Sequence, residues 1–216
     1  MRIAALRAFA VGLVGVGLAL APFPGGAPAT AAGGGSTVTV DLSADAATMD
    51  PGGQYGLFSE AGYANIFDAL FAHDANGAIA PYLVTKWTAA TPTTWVFQLR
   101  TDVKFTDGEP FDAQAVKVSL DRILAPAMRS PQFPLYQNIT AVKVRDAHTV
   151  EIDTGAPFPT MFALMTNLRI APASYAQRDP ADAPLHPVGD RPYTLAGWTK
   201  GSQVVLQANP AYWGAP

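Results

Sequence analysis

Between residues 37 and 216 the apolar positions come in short runs of two periods, separated by Gly, Pro, Asn and Asp. Thr37–Leu42 alternates and is rich in β-branched residues, which predicts a first strand. Ser59 is placed to cap a helix running to about Phe71, with Tyr63, Ile66, Phe67 and Leu70 at three- and four-residue spacing. Asp74-Ala75-Asn76-Gly77 reads as a turn. Trp95, Phe97 and Leu99 then alternate with Val96, Gln98 and Arg100, the pattern of a half-buried strand. Val103–Phe105 continues extended to a turn at Asp107-Gly108. Asp112 is an N-cap for a helix across Ala113–Ala125, whose stripe is Val116, Leu120, Ile123 and Leu124 and whose stop is Pro126. Val142–Val144 and Val150–Ile152 flank a hairpin loop at Asp146–Thr149. Phe158–Thr166 predicts a short helix, Arg178–Pro192 a turn-rich stretch and Ser202–Gln207 a last strand. Strands and helices mix without strict alternation, so the fold class is α+β or α/β with a mixed sheet.

The N-terminus has a different pattern. Arg2 and Arg7 precede an uncharged apolar run, Ala8–Ala21, and Ala29-Thr30-Ala31 has the small-x-small form of a cleavage site. Residues 1–31 therefore read as a secretory signal peptide. The run is short for a membrane span and breaks at Pro22, Pro24, Gly25 and Gly26. Residues 32–36 form a flexible lead-in.

Composition narrows the function classes. The chain is 49% hydrophobic and only 14% charged, which argues for a packed core and against a disordered charged tail. A net charge of -3 with no basic stripe argues against a nucleic-acid partner. Cysteine is absent, so disulfides, thiolate metal sites and thiol catalysis are excluded. The 19 Gly and 19 Pro are spread along the chain, as in a loop-rich globular protein.

Catalytic motifs are lacking. His73, His148 and His186 lie far apart in sequence, and H-E-x-x-H is absent. Asp107, Glu109 and Asp112 are close enough for an acid/base pair, but a turn and a helix cap account for two of them. The aromatics are numerous. Most suit core packing, and those on loops suit a small-molecule pocket. Arg129 and Arg169 sit in apolar surroundings, where a guanidinium can hold a carboxylate by two parallel hydrogen bonds or make a structural ion pair.

A set of landmarks, in order, resembles the family 5 extracellular solute-binding proteins of ABC importers for dipeptides, oligopeptides and nickel. They are Asp50-Pro51; Ile66-Phe67-Asp68-Ala69-Leu70; Ile79-Ala80-Pro81-Tyr82-Leu83 with Lys86-Trp87; Trp95–Arg100 with Val103-Lys104-Phe105 and Asp107-Gly108; Pro187-Val188-Gly189 with Pro192-Tyr193; and Asn209 with Tyr212-Trp213. The resemblance implies one lobe of a class II periplasmic-binding-protein-like clamp. Residues 37–51 and 186–216 would form the main part of the first lobe, and 52–185 an inserted smaller subdomain. Family members continue past the Tyr-Trp-Gly landmark into a second lobe, so the expectation for this chain is the first lobe without the second.

The function implied is capture of a small peptide or a nickel chelate outside the cytoplasmic membrane, in the periplasm or at the cell exterior. A membrane permease would be the partner, and the full-length protein would be a monomer without enzyme activity or cofactor. Tyr55, Arg129 and Arg169 are the ligand-contact candidates, by likeness to the nickel-binding branch, where arginines meet a chelator's carboxylates. Gln132 stands where that branch has a pocket tryptophan. The family's Gly-Thr-Gly-Pro turn is here Gly189-Asp190-Arg191-Pro192, so Arg191 would be strained wherever the glycine has positive φ. Two alternatives stand beside this reading. A secreted hydrolase would place Asp107 and Glu109 in a deep pocket. An orphan lobe serving as a sensor or interaction module would expose an apolar face.

Overall fold

The computed structural model describes residues 37–214. The signal peptide and residues 32–36 expected from the sequence lie outside the described residues. From Leu42 onward the described residues form one compact unit.

The larger core is built on a four-stranded antiparallel sheet. Its strands are β3 (Val84–Thr91), β4 (Thr94–Leu99), β5 (Ile139–Asp146) and β6 (Thr149–Thr154), in the order β3-β4-β6-β5. Helix α2 (Ala113–Leu124) packs on it, with Val116, Leu120 and Ile123 buried. That helix begins where the sequence says it should: the Asp112 carboxylate accepts from the Ala115 N–H at 2.8 Å. On β4, Phe97 and Leu99 are buried and Gln98 is exposed, so the alternation read from the sequence holds. Phe162, on the short helix α3 (Met161–Met165), meets Phe71, Trp87, Trp95 and Phe97 edge to face, with ring centroids 5.1 to 6.4 Å apart.

Two small antiparallel pairs complete the strands. β1 (Phe71–His73) pairs with β2 (Ile79–Pro81) across the predicted 74–77 turn, where Gly77 has φ 79°. β7 (Tyr193–Thr199) pairs with β8 (Gln203–Ala208). A second, smaller core gathers Tyr63, Ile66, Phe67, Ala171, Tyr175 and Ala183, with Val188, Leu195 and Leu206 packed against it. All named strand pairs are antiparallel.

Three local expectations are corrected. Thr37–Leu42 forms no strand: Val38 and Val40 are 83% and 73% exposed, and alternation without a pairing edge does not make a strand. The helix expected from Ser59 to Phe71 is α1 (Leu57–Tyr63) alone, and Phe71 opens β1. Tyr63, Ile66, Phe67 and Leu70 are all buried, but the chain between them turns to dock two cores. Ser59 does not cap α1, where Gly56 is the N-cap. Its hydroxyl instead accepts from Ala47 N–H at 3.0 Å.

Replacing Asp112 with Ala removes the cap of α2. The expected cost is ~1 kcal/mol of unfolding free energy in urea titration, with an unchanged m-value.

Candidate functional site

The Asp107-Gly108 turn is scaffold. Gly108 has φ 91°, and the Asp107 carboxylate accepts from Glu109 N–H at 3.0 Å on an exposed surface. Glu109 accepts from Ser174 N–H at 3.2 Å, and Thr106 N–H donates to Gly189 O at 2.9 Å. The carboxylates that would have carried hydrolase chemistry sit on a surface turn, which Glu109 docks to the 174 segment and the Thr106 backbone docks to Gly189.

The three proposed ligand contacts are not brought together: Arg129 and Arg169 line different pockets, and Tyr55 lines neither. Arg129 is exposed and lines a pocket of about 390 Å³ with Ala125, Pro126, Pro131, Phe133 and Pro134. It ends a 3-10 turn in the left-handed conformation, with φ 48°, the one positive-φ residue other than glycine among those described. The strain expected at Arg191 is therefore absent there and present at Arg129. The nearby loop is held from below. Gln132, buried, donates to Pro51 O at 2.6 Å and Gln54 O at 2.7 Å, and Ser130 donates to Gly52 O at 2.6 Å. Asp50 binds Arg122 at 2.7 Å and accepts from Gly52 N–H at 2.9 Å. Gln132 thus braces the 50–54 loop where a ligand-facing tryptophan was the comparison.

Arg169 lies in a polar pocket of about 340 Å³ whose other polar lining includes Glu60, His73, Tyr82, Asn167 and Arg191. Its side chain is 12% exposed and binds Glu60 at 3.2 Å, while its buried Nε has no partner. An isolated antiparallel bridge between Ala69 and Arg169 fixes the backbone here. Tyr55 is exposed and lines neither of these pockets. Burial pushes Tyr63 up to about 12, with the Glu60 charge adding to the rise and Arg169 opposing it. Tyr136 is raised by burial as well, and its hydroxyl donates to Leu164 O at 3.2 Å.

Behind this pocket is a polar seam that sequence reasoning missed. Arg191 Nε donates to the buried Asp68 carboxylate, as does Trp213 Nε1 at 3.2 Å, and Asp190 Oδ1 accepts from Asp68 N–H at 2.8 Å. Arg191 also donates to Ala64 O, and Asn209 Nδ2 donates to Arg191 O at 2.9 Å. Gly189 is required, because a Cβ there would stand 1.9 Å from Ile66 O. The family landmarks at 66–70, 187–193 and 209–213 all meet at this seam.

Comparison with known proteins agrees with that convergence. Residues 78–216 match the model for bacterial extracellular solute-binding proteins, family 5, middle region. The chain belongs to this family. The family 5 chain is 30% identical over 206 residues to the glutathione-binding protein GsiB of Escherichia coli O157:H7, covering 94% of this chain and 39% of that protein. It is similar in structure to MoaA of A. tumefaciens R10 in complex with mannopinic acid, with a TM-score of 0.71, 29% identity and coverage of 78% and 36% of the two chains. It also resembles NikA of Brucella suis in complex with Fe(III)-EDTA, with a TM-score of 0.68, 26% identity and coverage of 80% and 35%. The family 5 chain thus spans about two fifths of the length of these relatives.

Gln132→Ala would leave the buried Pro51 carbonyl without a donor and Gln54 O with only the Tyr63 hydroxyl at 3.3 Å. The expected cost is ~2 kcal/mol or more, with faster amide hydrogen exchange over residues 50–55 than elsewhere in the chain.

Proposed function

We propose that this chain supplies one wall of the binding cleft of an ABC importer's solute-binding protein, which captures a small carboxylate-bearing solute and hands it to a membrane permease. A short peptide is the first choice of solute. The observation that carries the reading is the buried, unpartnered Nε of Arg169 in a polar pocket. A guanidinium with one edge on Glu60 and a donor left over suits an incoming carboxylate. Glu60, Asn167 and Thr166 offer acceptors to the amino and amide groups of a peptide. A metal chelate is the second reading, because chelators present carboxylates too, as in the Fe(III)-EDTA complex of NikA. Among the described residues no group of three or more His, Cys, Asp or Glu is placed to hold a metal, so metal would enter already chelated.

The division into a main part, residues 37–51 and 186–216, and an inserted subdomain, 52–185, is proposed on the same footing. The larger core lies almost wholly between residues 70 and 170, and the smaller core joins residues 63–67 to the β7–β8 hairpin. Secretion follows from the N-terminal pattern. No helix among the described residues is long and apolar enough to cross a membrane.

Capture by closure requires a second wall, since a ligand favours the closed state only through contacts present there. The chain alone is therefore expected to bind glutathione or Gly-Gly-Gly weakly, in the millimolar range by order of magnitude. Titration followed by NMR should move the Arg169 Nε–H resonance saturably. Arg169→Gln should weaken the effect at least ~10-fold. Sub-micromolar binding by the chain alone would overturn the two-wall reading, and an unmoved Arg169 resonance would overturn the site.

A further inference from the structure

Asp190 is a buried carboxyl group without a counter-charge of its own. It is 0% exposed, its Oδ1 accepts from the Asp68 N–H at 2.8 Å, and its Oδ2 has no partner. Asp68 beside it is equally buried and holds the cation of the neighbourhood, since Arg191 Nε and Trp213 Nε1 both donate to it. The remaining charges that face the pair are engaged. Arg169 reaches Asp68 with its field but is bound to Glu60 at 3.2 Å. Arg100 lies 4.4 Å from the Trp213 ring centre and is paired with Asp102 at 2.5 Å. Tyr82 and Tyr212 hydrogen bond to each other at 2.7 Å, and the 104–109 turn contributes only a backbone donor, Thr106 N–H, to Gly189 O. Two carboxyl groups therefore share one guanidinium in an interior where an unpaired carboxylate costs more than a bound proton.

We infer that Asp190 is a neutral carboxylic acid at neutral pH, and that its proton makes the seam of Ala64–Leu70, Pro187–Arg191 and Trp213 an acid-tightened latch. The inference stands whichever solute the pocket takes. It concerns the position of Arg191 and Tyr82, which line the Arg169 pocket and meet the seam through Asp68 and the Trp213 ring respectively. Burial, and then the Asp68 charge, raise Asp190 well above the usual carboxylate range. Burial also raises Asp68, to about 6, against the pull of Arg191. Both shifts have the same sign. The folded state keeps protons that the unfolded chain releases above pH ~4. The stability so contributed is complete below that value. It is lost as pH rises, through about 6 for Asp68, and Asp190, raised by burial, contributes a loss of the same sign.

The test compares the full chain with Asp190→Asn by urea unfolding between pH 5 and pH 8.5. The folding equilibrium constant of the parent should fall with rising pH, by up to ~10-fold per pH unit for each proton retained. In Asp190→Asn one proton's share of that slope should vanish, leaving the variant more stable than the parent at pH 8 and closer to it at pH 5. An unchanged slope, or a variant less stable than the parent at pH 8, would overturn the latch. If the variant does not fold, the Asp190 carboxyl carbon is followed by NMR in the parent. A signal that stays at its protonated position from pH 5 to pH 7 supports the inference, and a titration centred near 4 sinks it.

Discussion

The Asp68 carboxylate is the contact on which the rest of this chain depends. It receives donors from Arg191 and Trp213, while its own N–H is bound by Asp190. Three stretches far apart in sequence are thereby tied at one point. Breaking one side of a buried ion pair leaves an uncompensated charge, so the point is costly to disrupt. Its neighbour Gly189 enforces the same closeness sterically, because no side chain fits between it and Ile66.

The candidate site inherits its geometry from that seam. Asp68 and Ala69 are consecutive; one is held by Arg191 and the other bridges to Arg169. The pocket that carries the proposed function is therefore lined on one side by Arg169, with a free buried donor, and on another by Arg191, whose Nε and Nη1 are in use. The Arg129 pocket depends on a different brace, the Gln132 and Ser130 hydrogen bonds to the 50–54 loop. The two pockets differ in chemistry. The polar one offers charge recognition, and the one rich in proline with Phe133 offers apolar surface.

Much of the fold was legible because its signals are local. Asp112 caps α2 through a hydrogen bond three residues away, and the 74–77 and 107–108 turns need only a glycine and a short polar side chain. The hairpin of β5 and β6 follows from alternation on both sides of a turn. The misreadings arose where a distant partner decided the outcome. Helical spacing from Tyr63 to Leu70 proved to be burial in two cores, and the Thr37–Leu42 alternation had no edge to pair with. Arg191 was expected to be strained by its backbone. Its role comes from Asp68, 123 residues earlier, and no local rule connects them.

The sequence by itself determined the family, the Asp112 cap, the turns and the helix–strand order around the sheet, and it nominated Tyr55, Arg129 and Arg169 for the ligand. Only the tertiary structure decided which of those residues share a place. It separated Arg129 from Arg169, turned Gln132 into a loop brace, moved Asp107 and Glu109 to a surface turn and brought Asp68 against Asp190 and Arg191. The reason is physical. Hydrogen bonds within a few residues follow from local dihedrals and side-chain reach, whereas the state of a buried charge depends on which other charges the folded chain brings beside it.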